Sequence, residues 1–331
     1  MLKNKNVQLI DILPIVALIV LLLVFGITSG GALFSSFNIQ SVIRDSIPVI
    51  LGGLGVIFVI ATGGCDLSIG AVAAVAATVG AYYGSIYGAW MTVLLVLLIG
   101  LASGTFLGLI TSRFHVSSFM ASLALLMGLR GFLNVCNVKW EQVYLPESLH
   151  FMNGFGPALL ITAVLTVIVW YVFEKTKFGY YCKGMGENEN TMIAIGVDTV
   201  KVRHIAFIIS GVMAAVMGLL LISATGGSSS TLGNFMEMKV QMGVFLGGVL
   251  VSGGMRSKIY KLIFGSLSIT VIVNGLTISG ASSSVTELAE GIILMLLLYI
   301  TILLSKNKGF KRKKSGASNE EPAGEIDSQI A

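Results

Sequence analysis

Four groups of residues carry the polar chemistry of an otherwise oily chain. The first is Thr62, Gly63, Gly64, Cys65, Asp66, Leu67 and Ser68. Its glycines permit a sharp turn, and Asp66 can accept hydrogen bonds from the free N–H groups at the start of the next helix. The second is Arg130 with Asn134, one turn apart and so on one helix face. Both are candidates to line a polar path, while Arg130 could instead snorkel to headgroups or pair with another group. The third is Asn274, deep in an apolar run, where a buried amide needs a partner across a helix contact or on a pore. The fourth is the polar, Gly-bounded stretch Glu187, Asn188, Glu189, Asn190 to Gly196. A short helix over 190–195, ended by Gly196, would make a docking knob for a soluble partner; a solvated connector is the plainer reading. On the first reading, proline at Glu189 is expected to abolish function.

Much chemistry is excluded. There is no G-x-x-x-x-G-K-S/T phosphate loop, so nucleotide is not hydrolysed by that route. His115, His150 and His204 are far apart, and Cys65, Cys136 and Cys182 show neither metal-ligand nor disulfide spacing. No catalytic residue, metal or bound cofactor is expected, and no nucleic-acid partner. No convergent His, Ser or carboxylate set supports an enzyme. No acidic residue is expected in the middle of a span; Glu287 and Glu290 fall near the outer end of the last one. Ion-coupled carriers generally keep carboxylates within the membrane. An ion-coupled secondary transporter is therefore the alternative, and a pump powered from outside the chain the main reading.

The elements that must position these groups follow from composition. The chain has 331 residues, 55% hydrophobic and 11% charged, against about 25% charged in soluble domains. Too little charge remains to cover a water-facing surface, so the fold is all-α and polytopic. A crossing helix needs roughly 20 apolar residues. About ten spans are read: 12–30, 47–63, 67–87, 91–111, 117–135, 157–173, 204–224, 240–251, 259–278 and 285–304, the eighth short enough to be bent or partial. Ten crossings with both termini cytoplasmic put all but four of the 21 basic residues (Arg44, Arg130, Lys139, Lys239) on the cytoplasmic side, which agrees with the positive-inside rule. This divides the chain into a cytoplasmic N-terminus (1–11), a membrane domain (12–304) with its longest inner connection at 174–203, and a tail (305–331). The tail is basic, then polar, and expected to be disordered; its basic cluster at 306–314 suits anionic lipid. Ala61-Thr62-Gly63-Gly64 is echoed by Ala224-Thr225-Gly226-Gly227. Two five-helix halves would be inverted relative to one another, with these motifs in matching places.

The order of these motifs resembles a known family. Thr62 to Gly70 is similar to the T-G-G-x-D-L-S-V-G signature of permeases in ribose-type ABC importers, with Thr62, Gly63, Gly64, Asp66 and Ser68 at matching positions. Ser118–Leu123 through Arg130-Gly131 resembles their F-x-x-T-L…R-G segment. The inner connection resembles their coupling segment, ahead of Ser210-Gly211. Leu246-Gly247-Gly248 with Ser252-Gly253-Gly254, and Asn274-Gly275-Leu276, match further motifs in unbroken order from about 47 to 304. Departures are Thr191 and Met192 at the paired alanines, Glu187 where Gly is usual, and Met255-Arg256-Ser257-Lys258 after the Ser-Gly-Gly. The resemblance implies a plasma-membrane permease that imports a monosaccharide or similar small polar solute. It implies a second permease subunit, identical or homologous, two cytoplasmic ATP-binding subunits carrying ATP and Mg, and an extracytoplasmic solute-binding protein. Glu187, Asn188, Glu189, Asn190 and Gly196 would then couple to the ATPase.

Overall fold

The computed structural model describes residues 5–140, 143–297 and 299. They form α1 (Lys5–Thr28), α2 (Ser36–Ala61), α3 (Ile69–Tyr87), α4 (Ala89–Arg113), α5 (Ser118–Lys139), α6 (Phe155–Lys175), α7 (Lys177–Glu187), α8 (Glu189–Ala194), α9 (Thr199–Thr225), α10 (Met236–Leu246), α11 (Ile259–Ile278) and α12 (283–297), with 3-10 turns at Ala32–Phe34 and Glu147–Asn153. Among the described residues there is no strand, only an isolated antiparallel bridge between Tyr144 and Gly227. Among the described residues seven helices, α2 to α6, α9 and α11, are long and apolar enough to cross a membrane, and α1 contributes the apolar stretch Pro14–Thr28. The expected tail 305–331 lies outside the described residues, and the expected boundary at 12 falls inside α1.

α2 is the axis of the bundle. From Ile47 to Ala61 all its side chains but Pro48 are buried, and it packs on α9, α11, α10, α6 and α7. A helix apolar on every side belongs in the middle of such a bundle. The tightest pair is α4 with α9. Gly100, Gly104 and Gly108 recur every fourth residue and so share one face of α4. A Cβ on Gly104 would lie 2.8 Å from Ile208 Cα and 3.1 Å from its carbonyl oxygen. Lipid supplies no hydrophobic drive between helices, so close backbone approach over small residues is what holds such a pair.

The span at 240–251, read as bent or partial, is partial: α10 begins at Met236 and ends at Leu246, because Gly247 and Gly248 follow, the latter with φ +80°. Three other expectations need correction. Lys239 is not in an outer-side loop but on α10, paired at 3.3 Å with Glu290 of α12. Glu237, in the first turn of the same helix, is buried, so a carboxylate does lie inside the bundle. The connection at 174–203 holds two helices, not one. α7 precedes the expected short helix, which runs Glu189–Ala194 and is stopped by Gly196 at φ +83°.

Replacing Gly104 with Val should force α4 from α9 and cost about 1–3 kcal/mol, as overpacking does. A clear fall in the melting temperature of the detergent-solubilised protein is expected. Gly128→Ala, on the open face of α5 where a Cβ meets nothing within 4 Å, should leave it unchanged.

Candidate functional site

Two connections between helices run into the bundle and interrupt its helical backbone, and these interruptions face each other. α2 ends at Ala61, Gly63 turns the chain with φ +80°, and residues 64–68 run without helical structure to α3. α9 ends at Thr225, Gly226 turns the chain with φ +78°, and residues 227–235 lead to α10. The repeated Ala-Thr-Gly-Gly thus places its first glycine at positive φ both times. Gly63 N–H bonds to Ile60 O at 2.9 Å and Gly64 N–H to Val59 O at 3.0 Å, the bonding of a left-handed helix cap.

The first segment enters the bundle beside α5. Cys65 N–H donates to Ser118 Oγ at 3.0 Å, at the start of that helix. Five residues on, Gly70 lies against Arg130 Nη2 and the Gly233 carbonyl. Arg130 is twelve residues along α5 from Ser118, roughly 18 Å at the helical rise, and its side chain reaches the first turn of α3 at Gly70. α3 starts well inside the bundle, with Ile69 to Thr78 all buried. Nine residues of α5 lie beyond Arg130.

Each interruption is held by side chains. Asp66 is 1% exposed. Its Oδ1 accepts from Ser68 N–H at 2.9 Å and from Ser68 Oγ at 2.7 Å, and its Oδ2 accepts from Ser210 Oγ of α9 at 2.7 Å. It therefore does not cap α3 directly, whose N-cap is Ser68, but braces Ser68 and ties the strap to a second helix. Gln241 of α10 donates to Asp66 O at 3.2 Å. On the other segment, Arg130 donates from Nη1 to Leu232 O at 2.6 Å and from Nη2 to Gly233 O, with Glu237 Oε2 3.9 Å away. Glu237 sits in the first turn of α10, where the helix dipole favours a negative charge. Farther along, Ser228 joins Thr78 (2.6 Å), Asn137 (3.0 Å) and the Val143 carbonyl (2.8 Å). Trp140 stacks on Tyr82 at 4.0 Å.

The sequence candidates separate accordingly. Thr62, Gly63, Gly64, Asp66, Ser68 and Arg130 belong to one network across the two interruptions. Asn134 does not join it; it is exposed on the outward face of α5. Asn274 on α11 has a buried Oδ1 with no hydrogen-bond partner among the described residues, so the expected interhelix bond through that oxygen is not made. Glu237, Gln241 and Ser210 are additions. Among the described residues no His, Cys, Asp and Glu group could hold a metal ion.

At the end of α2 lies a second cluster. Gly186 of α7 packs onto the Ala61 carbonyl, where any Cβ would collide, and Gly254 N–H donates to the same carbonyl at 3.2 Å. Glu187 Oε1 accepts from Met255 N–H at 3.2 Å, so two of the sequence departures meet. Glu174 Oε1 accepts from Ile259 N–H at 3.0 Å. Asn188 caps α8 by accepting from Thr191 N–H at 3.1 Å, and Glu189 pairs with Arg203 of α9 at 2.7 Å. Asn190 is exposed, as are Ile193 (55%) and Ile195 (67%). Lys183 lies 4.2 Å over the Phe173 ring, and burial pushes its ammonium below the usual lysine range. Lys201 hydrogen bonds, side chain first and then backbone, hold the Asp198 carboxyl below the usual carboxylate range.

A family model described as branched-chain amino acid transport system / permease component matches residues 38–301. The chain is 31% identical over 306 residues to the ribose import permease protein RbsC of Bacillus subtilis (strain 168), covering 89% of this chain and 92% of that one. It is 30% identical over 310 residues to the probable ABC transporter permease protein YphD of Escherichia coli (strain K12), covering 92% of each. It is 25% identical over 302 residues to the fructose import permease protein FrcC of Rhizobium meliloti, covering 87% and 84%. No solved structure matches.

Arg130→Gln removes the partner of a buried carboxylate and leaves two carbonyls short of donors. A loss of about 3–5 kcal/mol is expected from a broken buried pair. Adding Glu237→Gln removes the stranded charge and should recover part of that loss in a double-mutant cycle read by unfolding. Asp66→Asn, which keeps an acceptor for Ser68, should be milder than Asp66→Ala.

Proposed function

We propose that this chain, which belongs to the branched-chain amino acid transport system / permease component family, is the translocation subunit of an importer that takes a sugar or similar small polar solute across the membrane, powered by a separate ATPase. It is a multi-pass plasma-membrane permease of the ribose/monosaccharide type. The printed functions of its relatives, ribose and fructose import, support the substrate class. On this reading two permease subunits stand side by side, an extracytoplasmic binding protein delivers the solute, and two ATP-binding subunits dock at the α7–α8 end, which faces the cytoplasm together with both termini. Two inverted halves of five helices each, ten crossings in all, would complete the plan; the matched turns at Gly63 and Gly226 support it.

The observation that carries the proposal is the junction at Ala61. α8 presents Ile193 and Ile195 to a soluble partner, and α7 rests its last turn directly on the end of α2 and on residues 253–255. Any displacement of α8 must move these together, since Gly186 leaves no slack against the Ala61 carbonyl. α2 passes the motion to the Gly63–Ser68 strap, and through Asp66 and Gln241 to α9 and α10. Rigid-body rocking of this kind is a common way to turn a local push into altered access. Buried carboxylates are what an ion-coupled carrier would need. Here Glu237 and Glu290 lie beside Arg130 and Lys239, so neither favours that alternative; Asp66, held by hydroxyl and N–H donors and, among the described residues, no cation, is the carboxylate left to it.

Proline at Glu189 is a poor test, because Glu189 is the first residue of α8, where proline is tolerated. A charge swap is sharper. Glu189→Arg or Arg203→Glu alone should cut ATP-driven uptake severalfold in proteoliposomes containing all subunits, with little change in melting temperature, since a partly exposed pair adds only about 0–1 kcal/mol. The double swap should restore uptake. Full uptake in both single variants would remove the coupling role, and gradient-driven uptake by the purified chain alone would favour the carrier.

A further inference from the structure

A groove of about 470 Å³ runs between the last turn of α4 and the first turns of α9. Its apolar wall is Leu109, Val200 and Ile205, each 40–45% exposed. Its polar rim is Arg113, Lys201 and His204, with Asp198 as the one acidic group. Arg113 closes α4 after a long apolar helix, so the rim stands where hydrocarbon gives way to headgroups. It makes no hydrogen bond or ion pair among the described residues. Lys201 is bound to Asp198 at 2.9 Å, but both side chains are largely open to solvent, and such a pair exchanges partners cheaply.

We propose that this groove is a binding site for an anionic phospholipid, with acyl chain along Leu109 and Ile205 and headgroup phosphate on Arg113. Two fixed cations and one carboxylate leave one net positive charge, which matches a single phosphodiester. The guanidinium suits that group because its parallel N–H donors fit two phosphate oxygens at once. The start of α9 adds the positive end of a helix dipole on the same side. A zwitterionic lipid would bring its own cation against Arg113, so the charge balance selects a headgroup without one. Basic pockets between membrane helices are known to take such headgroups. The inference needs only that the groove lie at the membrane surface. It rests on the proposed function solely for which leaflet supplies the lipid.

The test is native mass spectrometry of the assembled transporter, purified in detergent and supplied with dioleoylphosphatidylglycerol or dioleoylphosphatidylcholine. Wild type should retain the glycerol lipid over the choline lipid about fivefold, what one basic residue near a membrane surface contributes. Arg113→Gln should erase that preference. Ile205→Glu, which places a negative charge in the groove, should do the same. Both positions are exposed, and melting temperature checks that each variant folds. Equal retention of both lipids by wild type, or an unchanged preference in both variants, overturns the site. So does retention of the glycerol lipid by the permease alone but not by the assembled transporter, which would make the groove a protein contact. Uptake is measured separately: a variant that loses the lipid preference yet remains folded supports the site whatever its transport, and absent transport in wild type counts against the proposed function alone.

Discussion

A backbone inside lipid must satisfy its own hydrogen bonds, because no water is present to do so. This chain runs the 62–68 and 226–235 connections into the bundle, and the rest of the structure answers that choice. Each break frees N–H and carbonyl groups that a continuous helix would have paired. At the first, Ser118 receives the Cys65 N–H, Asp66 receives the Ser68 N–H, and Gln241 donates to the Asp66 carbonyl. At the second, Arg130 takes the carbonyls of Leu232 and Gly233. Asp66, Gln241 and Arg130 thus all bond to backbone groups that no helix pairs.

The same accounting explains why these charges are tolerated. A lone arginine or carboxylate at this depth would be costly. Arg130 is offset by two carbonyl dipoles and by Glu237, and Glu237 is further favoured by the start of α10. Lys239 and Glu290 repeat the arrangement between α10 and α12. These pairs weld short or broken pieces to their neighbours. α10, with 11 residues, is too short to span a membrane and depends on Glu237, Lys239 and Gln241 to fix its place.

What the sequence made legible was whatever follows from local pattern. Seven long apolar runs read directly as helices, because nothing else can bury them. Gly63, Gly196 and Gly226 were visible as stops, and each takes the positive φ that a stop requires. The pairing of the two Ala-Thr-Gly-Gly turns was visible as an echo. What escaped depended on distant partners. Arg130 could be placed on a helix but not joined to Leu232, 102 residues away. Lys239 looked like a loop residue because the run 240–251 imitates a span that Gly247 and Gly248 in fact divide. α7 was hidden by three glycines in 11 residues, which lower helix propensity. Two of them, Gly179 and Gly186, let the helix lie directly on other backbones, at Phe173 and Ala61, a reason that exists only in the folded state.

That last point bears on how the protein can move. Where Gly186 meets the Ala61 carbonyl there is no side chain to deform, so α7 and the end of α2 shift together or part altogether. Where Asp66 meets Ser68, Ser210 and Gln241, parting would leave buried polar groups unpaired at about 1–3 kcal/mol each. Motion that keeps both junctions intact is therefore far cheaper than motion that breaks either. The looser surfaces are elsewhere, on the open face of α5 around Gly128 and Gly131 and along the exposed sides of α4 and α6. Sliding there exchanges one apolar contact for another and breaks no hydrogen bond. The interior network thus behaves as one body, and changes of access have to occur at its margins.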